Sequence, residues 1–187
     1  MSCIAKLLDL KGEKDFIAAP RNPDIIIEDG GKYKGFEYIT ILNSIGFRCG
    51  YVAITPDHPL YDFQKNDDPF TYFPDLDVHG GVTFFEKQHL IESECNDKWI
   101  GFDCGHAGDG WDYNIARSRF EKLGNDKAAK SIREVQKIRE RVRMEMEDDH
   151  PGHTDMMKDF ETVKTKEYVI EECKRMIDQL LNQMEAA

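Results

Sequence analysis

Hydrophobic and polar positions divide the chain into a strand-rich stretch followed by a helical stretch. In the first stretch, apolar and aromatic residues form short runs that end at glycine, proline or asparagine, a pattern typical of β-strands. The runs that indicate strands are FEYITILN (36–43), FRCGYVAIT (47–55), GVTFFE (81–86) and KWIGFDC (98–104). A glycine-containing turn separates the first two runs, so we expect those two strands to pair.

Beyond residue 113 the apolar residues recur with the 3.6-residue period of an α-helix. One predicted helix runs from Asp126 to about Met146, and lysines and arginines occupy the side opposite its apolar face. That apolar face consists of Ala128, Ile132, Val135, Ile138, Val142 and Met146. The last helix begins after Thr165, a suitable N-cap residue. Its apolar stripe is the clearest in the chain and consists of Val169, Ile170, Cys173, Met176, Ile177, Leu180, Leu181 and Met184.

Strands that come first and helices that come later indicate an α+β fold, because alternating strand–helix units are missing from the pattern. We predict a small, mostly antiparallel sheet packed by the C-terminal amphipathic helix, with a charged helical insertion before that helix. A length of 187 residues fits one domain spanning 1–187. Within it we expect an irregular lead over 1–35, a strand-rich body over 36–113 and a helical region over 114–187.

Composition narrows the classes of partner. The chain has 36 acidic and 25 basic residues, a net charge of −11, which disfavours direct nucleic-acid binding and anionic membranes. No apolar run approaches the length of a membrane span. The five cysteines are scattered and odd in number, which favours free thiols in a reducing cytoplasm over a disulfide framework. The acidity itself suits a basic partner protein or a cation.

Two polar motifs flank the later strands, DLDVHGG (75–81) before one and WIGFDCGHAGDGWDY (99–113) at the end of the next. If these strands are antiparallel neighbours, the two motifs meet at one edge of the sheet. Imidazoles and carboxylates are ligands of divalent transition metals, and a bound metal supplies hydroxide near neutral pH. The candidate metal ligands are Asp77, His79, Asp103, His106 and Asp109. The alternative is that Asp103, His106 and Asp109 only cap turns and satisfy backbone amides, with glycines supplying positive φ.

The same edge is a candidate pocket for a small ligand. Trp111 and Tyr113 lie in a polar, glycine-flanked segment and suit stacking on a planar, nucleotide-like molecule. The candidate ligand-binding residues are Asp77, His79, Gly80, Gly81, Asp103, Cys104, His106, Asp109, Trp111 and Tyr113. Nucleophilic catalysis by Cys104 is disfavoured, because the neighbouring aspartates raise the pKa of a thiol and a catalytic thiol needs a lowered one.

Three charged residues of the helical region bear on this edge. Arg139 falls among the apolar positions of its helix and is expected to pair with an acidic partner from the body. On the last helix, Glu172 is expected to face solvent. Glu171 flanks the apolar stripe and is expected to reach toward the edge where the motifs meet.

The segments GYVAITPDHPLY, DVHGGVTFF, WIGFDCGHAGDGWDY and YVIEECKRMIDQL resemble a family of small proteins encoded by bacteriophages and prophages. That family shares the motifs DVHGG(L/V)TF and W(F/I)GFDC(A/G)HAGD, and the resemblance covers about residues 50–113 and 168–180. This chain has Ile100 where an aromatic residue is common and Gly105 where alanine is common. The resemblance implies an accessory role in the host bacterial cytoplasm and a last helix packed near the histidine motifs. It implies no catalytic residue.

Two functions are compatible with the sequence. The first is a phage-type accessory protein that interferes with a host defence system by binding a small nucleotide-like ligand or a basic host protein. The second is a metal-dependent hydrolase acting on a phosphoester, which uses Asp77, His79, Asp103, His106 and Asp109. They differ in whether a divalent transition metal is bound where the two motifs meet.

Overall fold

The computed structural model describes residues 2–62, 76–87, 96–106, 108–149 and 162–186. Its helices are α1 (Cys3–Lys11), α2 (Tyr113–Lys122), α3 (Asp126–Asp149) and α4 (Lys166–Ala186), with one 3-10 turn at Pro59–Asp62. The strands are β1 (Ile17–Ala19), β2 (Asn22–Tyr33), β3 (Phe36–Asn43), β4 (Arg48–Ile54), β5 (Phe84–Lys87), β6 (Lys98–Asp103), β7 (Asp109–Gly110) and β8 (Thr162–Val163).

Six strands form the main sheet in the order β1-β2-β3-β4-β6-β5, and every neighbouring pair is antiparallel. The four strands predicted from the hydrophobic runs correspond to β3, β4, β5 and β6. The register of β5 on β6 pairs Phe84 with Gly101, which confirms that these two strands are antiparallel neighbours. A separate parallel bridge joins β7 to β8.

Alternation along β4 divides the core between the two faces of the sheet. Val52 and Ile54 face α4, whose buried residues Val169, Cys173 and Ile177 complete one apolar cluster. Gly50 lets α4 approach closely, since a Cβ there would lie 2.6 Å from the Cys173 Sγ atom. The α+β fold with a sheet packed by the C-terminal helix is therefore confirmed. In the part of the chain described, no helix is long and apolar enough to cross a membrane.

The first 35 residues are not irregular, and that prediction is wrong. They contain α1, capped by the Ser2 hydroxyl on the Ala5 amide at 3.0 Å, and the first two strands of the sheet. The pair Gly30–Gly31 looks like a turn in the sequence but lies within β2. A Cβ on Gly30 would lie 2.6 Å from the Tyr38 carbonyl oxygen and 2.8 Å from Leu8. The glycine therefore permits close packing of α1 and β3, and the chain reverses later, at Lys34 and Gly35.

The charged helical insertion is α3, which extends three residues past the predicted end. Its apolar face is buried only near the start, where Ala128 and Ile132 pack with Phe120 of α2. Ile138 and Val142, on the same predicted face, are 57% and 47% exposed. The histidines at 150 and 153 lie outside the described residues.

Among the cysteines, Cys49, Cys104 and Cys173 are buried free thiols. Cys3 is disulfide-bonded, contrary to the expectation of free thiols.

A buried ion network joins the sheet to the segments around the histidine motifs. Arg48 donates from Nε to Glu28 at 2.8 Å, and both side chains are almost completely inaccessible. The same guanidinium bonds to Asp112 at 3.2 Å and to the Lys164 carbonyl at 3.0 Å. Arg119 of α2 also pairs with Glu28. Burial alone would lower the pKa of Arg48, but the charges of Glu28 and Asp112 raise it above its ordinary value.

Removing the buried carboxylate by Glu28→Ala should lower the free energy of unfolding by about 3–5 kcal/mol, because Arg48 would lose its principal counter-charge in a dry site. Urea unfolding followed by circular dichroism measures this loss. Glu121→Ala is the matched control, since it breaks an ion pair with Arg133 whose side chains are half exposed. That control should cost no more than about 1 kcal/mol; equal losses in the two variants would contradict the prediction.

Candidate metal and ligand site

The pairing of β5 with β6 brings the two predicted motifs together. The segment before β5 makes a turn closed by the Gly81 amide on the Val78 carbonyl at 2.9 Å, and His79 lies within it. His106 and Asp109 follow the end of β6, in a turn where the Asp109 amide donates to the His106 carbonyl at 3.0 Å. Antiparallel pairing thus places the start of one strand beside the end of the other, as the sequence predicts.

His79, His106 and Asp109 form what we call the histidine cluster. The Asp109 Oδ2 atom lies 2.9 Å from His79 Nε2 and 3.5 Å from His106 Nδ1. One ligand-type atom from each of the three residues lies within 4.8 Å of the other two. The Asp109 side chain is only 5% exposed, whereas His79 and His106 are 16% and 36% exposed. The cluster therefore has a buried carboxylate at its base and two imidazoles that solvent can reach.

Helix α4 holds His79 in place from the other side. The Tyr168 hydroxyl lies 3.0 Å from His79 Nδ1, and the Glu172 carboxylate accepts from the His79 amide at 3.0 Å. Glu172 is therefore buried, and the expectation that it faces solvent is wrong. Glu171 is instead the exposed residue, paired with Lys174 at 2.7 Å, so it does not reach the cluster. The segment that carries His79 thus covers Glu172 on the surface of α4.

The tautomer of His79 matters for what the cluster can bind. Burial raises the pKa of Tyr168, so its phenol stays neutral and can accept a hydrogen bond from His79 Nδ1–H. In that tautomer the Nε2 lone pair points toward the Asp109 carboxylate, a contact that a cation between the two would stabilise. In the other tautomer Nε2–H donates a hydrogen bond to Asp109 at 2.9 Å. Hydrogen bonding of the remote ring nitrogen is how most metal-binding histidines are oriented.

His106 supplies a second sign that a cation fits here. Its Nδ1 atom is buried and has no hydrogen-bond partner among the described residues. Ligands of a tetrahedral ion bound at about 2.0–2.1 Å lie about 3.3 Å from one another. The Asp109 oxygen lies 2.9 and 3.5 Å from the two imidazole nitrogens, on either side of that value. The donor types therefore fit a divalent transition metal, and the full set, whose atoms lie within 4.8 Å of one another, would close around the ion by movement of the side chains.

Other predicted site residues lie outside the cluster. Asp77 is 86% exposed on its side chain and pairs with Arg175 of α4 at 2.9 Å. Asp103 accepts from the Gly105 amide at 3.0 Å, the turn-capping role that the sequence also allowed, and its Oδ1 stays 4.0 Å from His106 Nδ1. Cys104 is 1% exposed. Burial and the charge of Asp109 raise the pKa of its thiol, so the thiolate needed for nucleophilic attack does not form near neutral pH.

Gly80 and Gly81 have different roles in the turn before β5. Both adopt positive φ, +66° and +84°, a conformation that favours glycine. A Cβ on Gly80 would overlap the imidazole of His106, whereas one on Gly81 would meet nothing within 4 Å. Gly80 therefore permits the two histidine motifs to touch, and Gly81 only permits the turn.

Trp111 and Tyr113 border a cleft of about 270 Å³ between the end of the second motif and α3. The Arg139 guanidinium lies 4.3 Å from the centre of the Trp111 ring and donates to the Asp109 carbonyl at 2.8 Å. Arg139 thus contacts the backbone of an aspartate and not its carboxylate, and the expected pairing with an acidic side chain stays a prediction. We call this the aromatic cleft. Its other polar lining residues, which sequence reasoning missed, are Gln136, Glu140 and Arg143.

Sequence reasoning also missed Tyr168 on α4 and Lys164 directly after β8, which both contact the histidine cluster. The Lys164 Nζ atom lies 3.8 Å from Asp109 Oδ1. The one signal for Tyr168 was the resemblance of the YVIEEC segment, which implied that the last helix packs near the histidine motifs. Comparison of the chain with protein-family models, with curated proteins and with solved structures gives no match.

The glycine pair provides a matched test of the cluster. Gly80→Ala should weaken Co²⁺ binding by about 10- to 100-fold, the usual effect of disturbing the residues that orient a metal ligand. Gly81→Ala introduces similar backbone strain without a clash and should leave the dissociation constant within about threefold. Titration of Co²⁺ followed by visible absorbance measures both. Equal weakening by the two alanines would mean that strain in the turn, and not contact with His106, controls the site.

Proposed function

We propose that this protein is a metal-dependent hydrolase of phosphoesters whose divalent transition metal is held by His79, His106 and Asp109. The observation that carries the proposal is the meeting of three ligand-type atoms within 4.8 Å, together with a buried His106 Nδ1 that has no hydrogen-bond partner among the described residues. Turn capping explains Asp103, which accepts from the Gly105 amide, and also the bond of Asp109 Oδ2 to the His106 amide at 3.0 Å. It does not explain why that nitrogen and His79 Nε2 both lie beside Asp109.

Among the described residues the cluster offers three ligands, a number that favours a catalytic metal over a structural one. Structural zinc sites usually have four protein ligands, whereas catalytic ones have three and keep a position open for water or substrate. Two histidines and one carboxylate also suit Fe²⁺ and Mn²⁺. The partial exposure of both imidazoles is compatible with an open fourth position.

A metal bound there would lower the pKa of water and polarise a phosphoryl oxygen. Hydrolysis consumes one water: its oxygen forms a bond to phosphorus, the bond to the leaving oxygen breaks, and that oxygen takes up a proton. The protein's own groups have simpler roles. Asp109 would compensate part of the cation's charge, and the two neutral imidazoles would donate nitrogen lone pairs to it. Tyr168 and Glu172 orient His79, and Lys164 adds a positive charge that favours a phosphate.

The wild-type protein should bind one Co²⁺, Mn²⁺ or Zn²⁺ ion per chain and hydrolyse bis(p-nitrophenyl) phosphate in its presence. The double variant His79→Ala, His106→Ala should lose stoichiometric metal and at least about 100-fold in rate, because only one ligand remains. Elemental analysis after dialysis and release of p-nitrophenol measure the two effects.

Asp77→Asn is the control for that experiment, because Asp77 was a candidate ligand in the sequence but lies on the exposed surface. It should bind metal and hydrolyse the diester as the wild type does. Absence of bound metal in the wild type, or full retention of metal by the double histidine variant, would overturn the proposal. Metal binding without hydrolysis would limit it to a metal-binding protein.

A non-catalytic role is the second candidate, favoured by the aromatic cleft with its two arginines. In this role the protein is a phage-type accessory protein in the host bacterial cytoplasm. It interferes with a defence system by binding a small nucleotide-like ligand or, through its net charge of −11, a basic host protein. The resemblance of its motifs to phage and prophage proteins supports this candidate.

Under the second candidate, a bound nucleotide should raise Tm by about 5–10 °C at roughly one hundred times Kd and be recovered chemically unchanged. Trp111→Ala should abolish the shift, because the ring supports Arg139 in the cleft. The double variant His79→Ala, His106→Ala should keep it, since no metal is involved. Differential scanning fluorimetry and ³¹P NMR of the recovered nucleotide measure these outcomes; conversion of the nucleotide would exclude the non-catalytic role.

A further inference from the structure

The aromatic cleft adjoins the histidine cluster through the backbone. Gly110, which lines the cleft, directly follows Asp109 in β7. Arg139 also connects the two, since its Nη2 atom donates to the Asp109 carbonyl at 2.8 Å. A molecule held in the cleft therefore lies beside the residues proposed to hold the metal.

Among the described residues, basic groups outnumber acidic ones in the lining of the cleft. That lining includes two guanidinium groups, Arg139 and Arg143, and one carboxylate, Glu140. The carboxylate accepts a hydrogen bond from Gln136 at 3.0 Å. Two neighbouring guanidinium groups suit a small anion. The planar fork of arginine matches the oxygens of a phosphate in particular.

Aromatic rings hold the Arg139 guanidinium in position before any ligand arrives. The guanidinium stacks on Trp111, whose ring in turn contacts Phe47 at 5.4 Å and Tyr113 at 6.0 Å between centroids. Such packing reduces the rotamer freedom that binding would otherwise have to remove. The Tyr113 ring also borders the cleft and supplies an apolar surface next to the charged one.

The size of the cleft limits the ligand. A volume of about 270 Å³ is just below the range of about 300–1,000 Å³ that is usual for drug-sized ligands. It suits a phosphate group with one planar substituent, and it is too small for an oligonucleotide. The acidity of the whole protein also disfavours a long polyanion.

We propose that the aromatic cleft binds a phosphate-bearing ligand of mononucleotide size, with the phosphate between Arg139 and Arg143 and the planar group against Tyr113. The inference rests on the proposed function in one respect only, that this ligand is the substrate of the metal centre. Binding itself depends on the arginines and not on the metal.

The test uses the full-length protein stripped of metal with EDTA, and adenosine 5′-monophosphate as the probe. Isothermal titration calorimetry should show one site for this nucleotide and no measurable heat for adenosine, which lacks the phosphate. Arg143→Gln should weaken binding at least about tenfold, because it removes a charge-assisted hydrogen bond. Arg141→Gln is the matched control: it removes an exposed arginine of α3 that does not line the cleft, so Kd should stay within about twofold.

Absence of binding by the nucleotide, equal binding of adenosine, or equal weakening by the two arginine variants would overturn the inference. Failure of the metal proposal is a separate result. The double variant His79→Ala, His106→Ala should still bind the nucleotide, and Arg143→Gln should still bind Co²⁺. Thermal unfolding of each variant shows whether any loss comes from a change in stability.

Discussion

A carboxylate and a guanidinium buried inside the sheet constrain the position of nearly everything around the candidate site. Glu28 on β2 and Arg48 on β4 are both almost inaccessible to water, so each must find its hydrogen bonds within the protein. Glu28 takes two donors from Arg48 and a further one from Arg119. Arg48 has donors to spare and uses them on Asp112 and on the Lys164 carbonyl. These bonds reach segments far away in sequence.

Those two contacts define the surroundings of Asp109. Asp112 also accepts from the Ile115 amide and so caps α2, which fixes the chain directly after the cluster. The Lys164 carbonyl directly follows the short strand β8, which pairs with Asp109 and Gly110. The Cys104 amide donates to the Arg48 carbonyl at 2.9 Å, which fixes the chain before the cluster. The chain on both sides of Asp109 is thus fixed by Arg48, through its buried guanidinium group and its backbone carbonyl. A metal centre or a specific pocket requires such rigidity.

The hydrophobic pattern was sufficient to predict the strands that carry the motifs, because short apolar runs bounded by turn residues are a local property of the sequence. The meeting of His79 with His106 and Asp109 followed from that pairing. What the pattern could not predict depends on distant packing. Gly30 resembled a turn residue because its close neighbours, Tyr38 and Leu8, come from other elements. Glu172 resembled a surface residue because the backbone of His79, which covers it, is 93 positions away.

The net charge of −11 and a phosphate-binding cleft are compatible once distance is considered. At physiological ionic strength, charges more than about 8 Å apart are largely screened. A small anion in the aromatic cleft is therefore governed by Arg139 and Arg143, which line it. A long polyanion would have to lie along the acidic surface outside the cleft and meet repulsion there. The same charge distribution thus selects ligands by size: it admits a single phosphate group and disfavours nucleic acid.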